Sequence, residues 1–245
     1  MKLKKIVIIL TLFVFDLSFS QIKEGKIIYL ATIDNHKIIE KIKKDTKLEE
    51  NIKKELLTEA LNAKGIQFQL IFNEYESLFH SISELIMENE GEEESNLTSI
   101  FSGSRVTFYN NLKTRKMLSQ NLSFEKLIID LEPMVWELTQ ETKKIGEYNC
   151  YKAITSQKVE GRKGTMYRSI IAWYTPRISV PFGIQNFNGL PGLILELSID
   201  KKTFFKVIKI ELNPKEKITI KKPKGLIISA EEFNNKLKKM ELFRN

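Results

Sequence analysis

Apolar and polar residues alternate with a period of two through much of this chain. Ile66, Phe68, Leu70 and Phe72 occupy every second position of "IQFQLIFNEYESLF" (66–79), which predicts a strand with one buried face. Similar runs predict strands at 24–33, 105–111, 113–120, 124–131 and 133–139, and again at 148–157, 167–175, 193–199, 204–212 and 217–222. Two segments carry the longer helical period instead. Over 47–64, Leu48, Ile52, Leu56 and Ala60 recur four apart, Leu57 and Leu61 widen the same stripe, and Gly65 stands where a C-terminal cap belongs. At 229–240, Ser229 and Glu232 make a capping box ahead of Phe233, Leu237 and Met240. Short connections bearing Asn, Gly or Pro separate the strands. They favour antiparallel pairing of neighbours over βαβ units. The predicted fold is α+β: a predominantly antiparallel β-sheet, built as a meander and strongly curved or half-barrel-like, packed with one or two helices.

The N-terminus breaks this pattern. Lys2, Lys4 and Lys5 precede an apolar run from Ile6 to Phe15, and Ser18-Phe19-Ser20 follows. That is the layout of a secretory signal peptide over 1–20. The run is shorter than the roughly 17–25 residues of a membrane span, and no Cys follows the cleavage site to take a lipid. Residues 21–245 are then expected to form a single exported domain that is not integral to the membrane. They would be periplasmic, outer-membrane-associated or extracellular. The whole chain has 39 basic and 31 acidic residues and a net charge of +8; removing 1–20 takes away three Lys and one Asp and leaves +6. The Lys and Arg pairs at 143–144, 162–163, 201–202 and 221–222 read as solvated loop charges. No basic stripe interleaved with aromatics points to nucleic acid. Cys150 is the one cysteine, so no intrachain disulfide forms, and its place in "YNCYKAI" predicts a buried structural thiol. Residues 87–96 form an acidic loop without the ligand spacing of a calcium site.

The densest turn signal lies in "NGLPGLILEL" (188–197). Pro191 forces Leu190 to an extended backbone. Pro191 and Gly192 suit the two central positions of a type II turn, with Gly192 supplying positive φ, and Gly189 adds a point where backbones approach closely. Leu193, Ile194, Leu195 and Leu197 then predict a strand covered on both faces. In "AWYTP" (172–176), Trp173 and Tyr174 point to opposite faces, one into the core and one toward a groove. Trp173, Tyr174, Gly189, Leu190, Pro191 and Gly192 are therefore the candidate binding residues. Chemistry is thinly represented. His36 and His80 lie in unlike contexts, no HExxH, G-x-S-x-G or phosphate loop is present, and Glu196 is the one acid beside the motif. The sequence points to no catalytic residue, metal or cofactor.

Three blocks with concordant spacing carry a resemblance: "WELTQETKKIGEYNCYKAITSQ" (136–157), "AWYTPRISVPFG" (172–183) and "FNGLPGLILEL" (187–197). Together they resemble the GLPGLI family, exported proteins of Bacteroidetes-type bacteria with unknown function. The likeness runs over about 136–212, with a departure at Pro181-Phe182-Gly183, where family members commonly carry Gly-Pro. It implies export to the cell envelope and supplies no catalytic residues. The expected function is a non-enzymatic binding protein for an apolar ligand or an envelope partner protein. The alternatives are an accessory or structural protein of an outer-membrane complex, and a hydrolase using Glu196 or a histidine.

Overall fold

The computed structural model describes residues 22–82, 96–124, 126–161 and 164–242; the segment 1–20 expected as a signal peptide and nearly all of the acidic segment 87–96 lie outside them. The strands are β1 (Gly25–Ile33), β2 (Ile66–Phe72), β3 (Glu76–Ser81), β4 (Val106–Asn111), β5 (Lys116–Asn121), β6 (Leu127–Asp130), β7 (Glu137–Ile145), β8 (Tyr148–Gly161), β9 (Gly164–Thr175), β10 (Leu193–Ile199), β11 (Thr203–Leu212) and β12 (Leu226–Ser229). The helices are α1 (Asn35–Lys44), α2 (Glu50–Leu61), α3 (Leu97–Ser102) and α4 (Ala230–Leu242). All twelve described strands form one open sheet in the order β12-β6-β5-β4-β3-β2-β1-β11-β10-β9-β8-β7. Every pairing is antiparallel except β12 with β6. This is the predicted α+β class, dominated by antiparallel sheet.

Several predicted boundaries shift, each for a local reason. The single strand expected over 66–79 is a hairpin, because Asn73 Oδ1 accepts from the Tyr75 and Glu76 amides and turns the chain. Residues 131–136 form no strand, and the strand expected at 133–139 begins only at Glu137. The strand expected at 217–222 is not in the sheet. It is part of a strap, 213–225, that returns from β11, beside β1, to β12 beyond β6. α1, absent from the sequence reading, starts at Asp34, whose side chain accepts from the Lys37 amide at 3.2 Å. The Lys37 ammonium beside it holds the Asp34 carboxyl below the usual carboxylate range. α4 starts as predicted, with the Glu232 amide donating to Ser229 Oγ at 3.0 Å.

The sheet has one strongly apolar face. Ile27, Tyr29 and Ala31 of β1 share it with Phe68, Leu70 and Phe72 of β2, and with Phe79, Ala172, Leu197 and Phe205. All are buried. Aromatic rings lock this centre, with Phe68 stacked on Phe79 at 5.2 Å and edge-on to Phe205 at 5.3 Å. A smaller cluster of Ile38, Ile42, Ala60 and Leu97 joins α1, α2 and α3. A third, of Tyr109, Leu118 and Ile128, lies on the opposite face under Ile220 of the strap.

Candidate functional site

The connection from β9 to β10 occupies residues 176–192 and shapes the candidate site. Neighbouring antiparallel strands need only a short turn. This longer segment instead folds back over the apolar face. Ile178, Val180, Phe182 and Ile184 fall on every second residue, and all are buried, as are Phe187 and Leu190. The same period of two that marks the strands therefore marks a segment with one buried face that never joins the sheet. That alternation was readable in "ISVPFGI", and the sequence reading missed it. Phe182 meets Phe72 at 5.9 Å, and Phe187 lies edge-on to Trp136 at 6.3 Å.

Polar bonds hold this segment in place. Trp136 Nε1 donates to the Asn188 carbonyl at 2.9 Å, and Asn188 Oδ1 accepts from the Gly183 amide at 2.8 Å. The Gly189 amide donates to Pro181 O at 2.8 Å, and the Leu193 amide to Ile178 O at 2.9 Å. Gln185 Nε2 ties the segment to the Ser102 carbonyl at the end of α3. Under it, the buried Tyr29 hydroxyl donates to Ile194 O at 2.9 Å, and burial drives its pKa far above the ordinary phenol value. These bonds satisfy buried polar groups that would each cost free energy if left alone.

The two motif glycines exchange the roles expected of them. Gly189 has φ +90° with nothing within 4 Å of where a Cβ would sit, so it supplies the positive φ. Gly192 lies outside the left-handed region. A Cβ there would stand 2.6 Å from the Thr175 carbonyl carbon and 2.9 Å from Pro176 Cα, and nearer still to the Thr175 oxygen. Gly192 is thus the point of close backbone approach, where the motif closes on the end of "AWYTP". The type II turn with Gly192 at positive φ is not formed.

The other candidates divide between the two faces. Tyr174 is buried on the apolar side against Tyr151, with ring centroids 6.1 Å apart. Trp173, half-buried, lies on the opposite side under the Lys143 ammonium, 4.4 Å from its ring centre. Lys143 also pairs with Glu196, which a second lysine, Lys206, approaches at 3.9 Å. Leu190 and Gly192 are buried, while Gly189 and Pro191 are exposed on the crest of the loop. The structure therefore brings Gly189 and Pro191 together at the surface and places Trp173 on the opposite face.

Little in this arrangement invites chemistry. Glu196 is neutralised by lysines. His80 lies on β3, four strands from β10, about 19 Å across the sheet, and His36 is exposed on α1. No group of His, Cys, Asp or Glu able to hold a metal occurs among the described residues. Cys150 is fully buried, and burial raises its thiol pKa. A shallow pocket of about 100 Å³ opens where residues 22–23, 72–74 and 179–182 meet. No helix among the described residues is long and apolar enough to cross a membrane.

Fold and site together define a β-rich α+β domain whose apolar sheet face is closed by its own β9–β10 connection. Residues 136–169 and 158–196 match the model of a family described as a protein of unknown function (Porph_ging). The matched stretches run from Trp136 through the loop to Glu196, and so contain the bonds that join Trp136, Gly183 and Asn188. No curated protein matches the chain. Two solved structures described as PNGF-II, in a P21 and a C2 space group, are each 15% identical, with TM-scores of 0.50 and 0.49. Each match covers 87% of this chain but 32% of the PNGF-II chain, so the chain spans about a third of the length of the structures it matches. At that identity the likeness concerns the fold.

Proposed function

We propose that this chain is an exported, non-enzymatic binding protein of the cell envelope that engages a protein partner through the crest of the β9–β10 loop. One observation carries the reading: the apolar face that a carrier would offer to a ligand is occupied by the chain's own Ile178, Val180, Phe182, Ile184 and Phe187. Small-molecule sites usually enclose about 300–1,000 Å³, and the pocket beside this loop has about 100 Å³. The filled face favours a partner over the apolar ligand. In this reading the sheet bends strongly toward the loop. Phe79 and Phe205 stand three strands apart, about 14 Å in a flat sheet, yet their ring centroids are 6.2 Å apart. The crest suits a contact surface because bonds from Trp136 and Asn188 hold it rigid, so little ordering is required on binding. The N-terminal pattern and the GLPGLI resemblance support export, with Gln21 as the first residue of the mature chain.

Photocrosslinking in living cells tests the proposal. A crosslinker at the exposed Pro191 is expected to capture one recurring protein, and one at the exposed Lys41 on α1 is not. The same diffuse set of neighbours from both positions overturns it. N-terminal sequencing of the cellular protein checks the export step; a chain that still begins at Met1 refutes it.

A further inference from the structure

We propose that the strap 213–225 is a docking surface for the anionic headgroups of a membrane. The strap reads "NPKEKITIKKPKG" and carries Lys215, Lys217, Lys221, Lys222 and Lys224 against the single Glu216. That is +4 of the +6 expected for residues 21–245, although the lysine pairs look scattered along the linear sequence. The fold explains how the charge is presented. To reach β12 from β11 the strap must pass across β1 to β6. It is held there by the Ile218 amide donating to Glu24 Oε2 at 2.7 Å and by Gln120 Nε2 donating to the Lys224 carbonyl at 3.2 Å. Ile220 packs inward on the Tyr109, Leu118 and Ile128 cluster. All five lysines are exposed, on both sides of this inward anchor.

These lysines differ from several lysines on the sheet strands. Lys116, Lys143, Lys152 and Lys206 each have a carboxylate within 4 Å. None of the five strap lysines has a carboxylate that close among the described residues. Exposed Lys126 adds a sixth positive charge where its carbonyl accepts from the Leu226 amide. Leu226 and Ile227, immediately beyond the strap, are exposed apolar side chains at the open edge of the sheet. A row of unpaired lysines ending in two exposed aliphatic residues matches an interface that is anionic outside and apolar just beneath. Lysine is a compact point charge suited to a diffuse anionic surface, and no aromatic lies among these residues to stack a nucleobase.

The test is sedimentation with vesicles, using the protein purified from its own cells. Vesicles of pure phosphatidylcholine are compared with vesicles holding 40% phosphatidylglycerol, at roughly 0.05 M and 0.5 M salt, across which the screening length shortens severalfold. Binding is expected only to the anionic vesicles and only at low salt. Each lysine near such a surface contributes about five-fold in partition. The variant Lys217→Gln/Lys221→Gln/Lys224→Gln is therefore expected to bind roughly a hundred-fold more weakly, with an unchanged melting temperature because these side chains are exposed. A control, Lys41→Gln/Lys43→Gln/Lys54→Gln, removes the same net charge from exposed positions on α1 and α2 and is expected to lose much less. Equal losses in the two variants overturn the assignment to the strap. No sedimentation of the unaltered protein with anionic vesicles at low salt overturns the proposal, and so does release by a few millimolar inorganic phosphate, which would mark a discrete phosphate site. The inference takes only the meeting with a membrane from the envelope reading. A strap indifferent to vesicles leaves a partner at Pro191 untouched, and an absent partner leaves vesicle binding to be read separately.

Discussion

Gly192→Ala tests the central structural claim about the motif. The new Cβ would stand 2.6 Å from the Thr175 carbonyl carbon and 2.9 Å from Pro176 Cα, well inside ordinary contact. Both neighbours are main-chain atoms, so no side chain can rotate away. The two segments must separate by roughly an ångström, a strain in the range of about 1–3 kcal/mol for overpacking. Separation also disturbs the Leu193 amide bond to Ile178 O, which contributes about 1 kcal/mol net. The usual gain from removing a glycine, about 0.4–1 kcal/mol through the unfolded chain, offsets part of this. The expected loss is about 2 kcal/mol, or roughly 4–8 °C in Tm for a domain of this size. Gly189→Ala meets no atoms and carries only the cost of positive φ, about 1–2 kcal/mol. Asparagine separates the mechanisms. It tolerates positive φ, so Gly189→Asn should recover part of the loss, whereas Gly192→Asn still carries a Cβ and should be no better than alanine. Equilibrium urea unfolding at constant m measures all four variants. If Gly192→Ala costs less than Gly189→Ala, or Gly192→Asn is clearly milder than Gly192→Ala, the close-approach account of Gly192 is wrong.

Two solution properties follow from buried titratable groups. Burial lowers the His80 pKa below its usual value, against the raising effect of its Nδ1 contact with Ser81 O, and Lys26 lowers it slightly further. The unfolded chain therefore binds more protons, and stability should be complete above about pH 6.5 and fall as the pH drops through the window beneath it. Urea midpoints from pH 7.5 to 4.5 should show this slope reduced in His80→Gln; an identical slope in the variant would remove His80 as its source. The Cys150 thiol, fully buried and with its pKa raised, should resist a thiol reagent at pH 8 in the native state and react on unfolding in urea. Fast stoichiometric labelling without denaturant would contradict its burial.

Period-two alternation located most of the sheet because a one-sided strand writes its burial into every second residue. β1, β4, β10 and β11 lie within a few residues of their predicted spans. The same signal failed where extended chain is buried without pairing. Residues 178–184 alternate but cover the sheet, and 217–222 alternates but lies across it. Hydrophobic period reports which side faces the interior, not whether a neighbour completes the hydrogen bonds. β12 was missed because it has four residues and pairs in parallel with β6, far earlier in the chain. The ten-residue α1 carries Ile38 and Ile42 as its buried positions, too short a pattern to stand out. For the candidate site, Trp173 and Tyr174 were correctly expected on opposite faces. The contributions of Trp136 and Asn188 were not legible, because they depend on a contact between residues 52 apart in the chain.

That contact ties together three blocks of the chain that lie apart in sequence. Block 136–157 supplies the Trp136 donor, block 172–183 supplies the Thr175 backbone and the Gly183 amide, and block 187–197 supplies Asn188 and Gly192. Asn188 is the junction, since its carbonyl accepts from Trp136 and its side chain accepts from Gly183. If the crest is a single lock, breaking either bond should loosen it enough to weaken the other. Trp136→Phe removes the first donor while keeping a ring against Phe187, and Asn188→Ala removes the second acceptor. Each should cost about 1–3 kcal/mol, since a buried polar group loses its partner. In a double-mutant cycle read by urea unfolding, the pair should cost less than the sum by about 0.5–3 kcal/mol, the range for residues of one network. Additivity within about 0.5 kcal/mol would mean two independent bonds. The crest would then lack the rigidity on which its proposed role as a preformed contact surface depends.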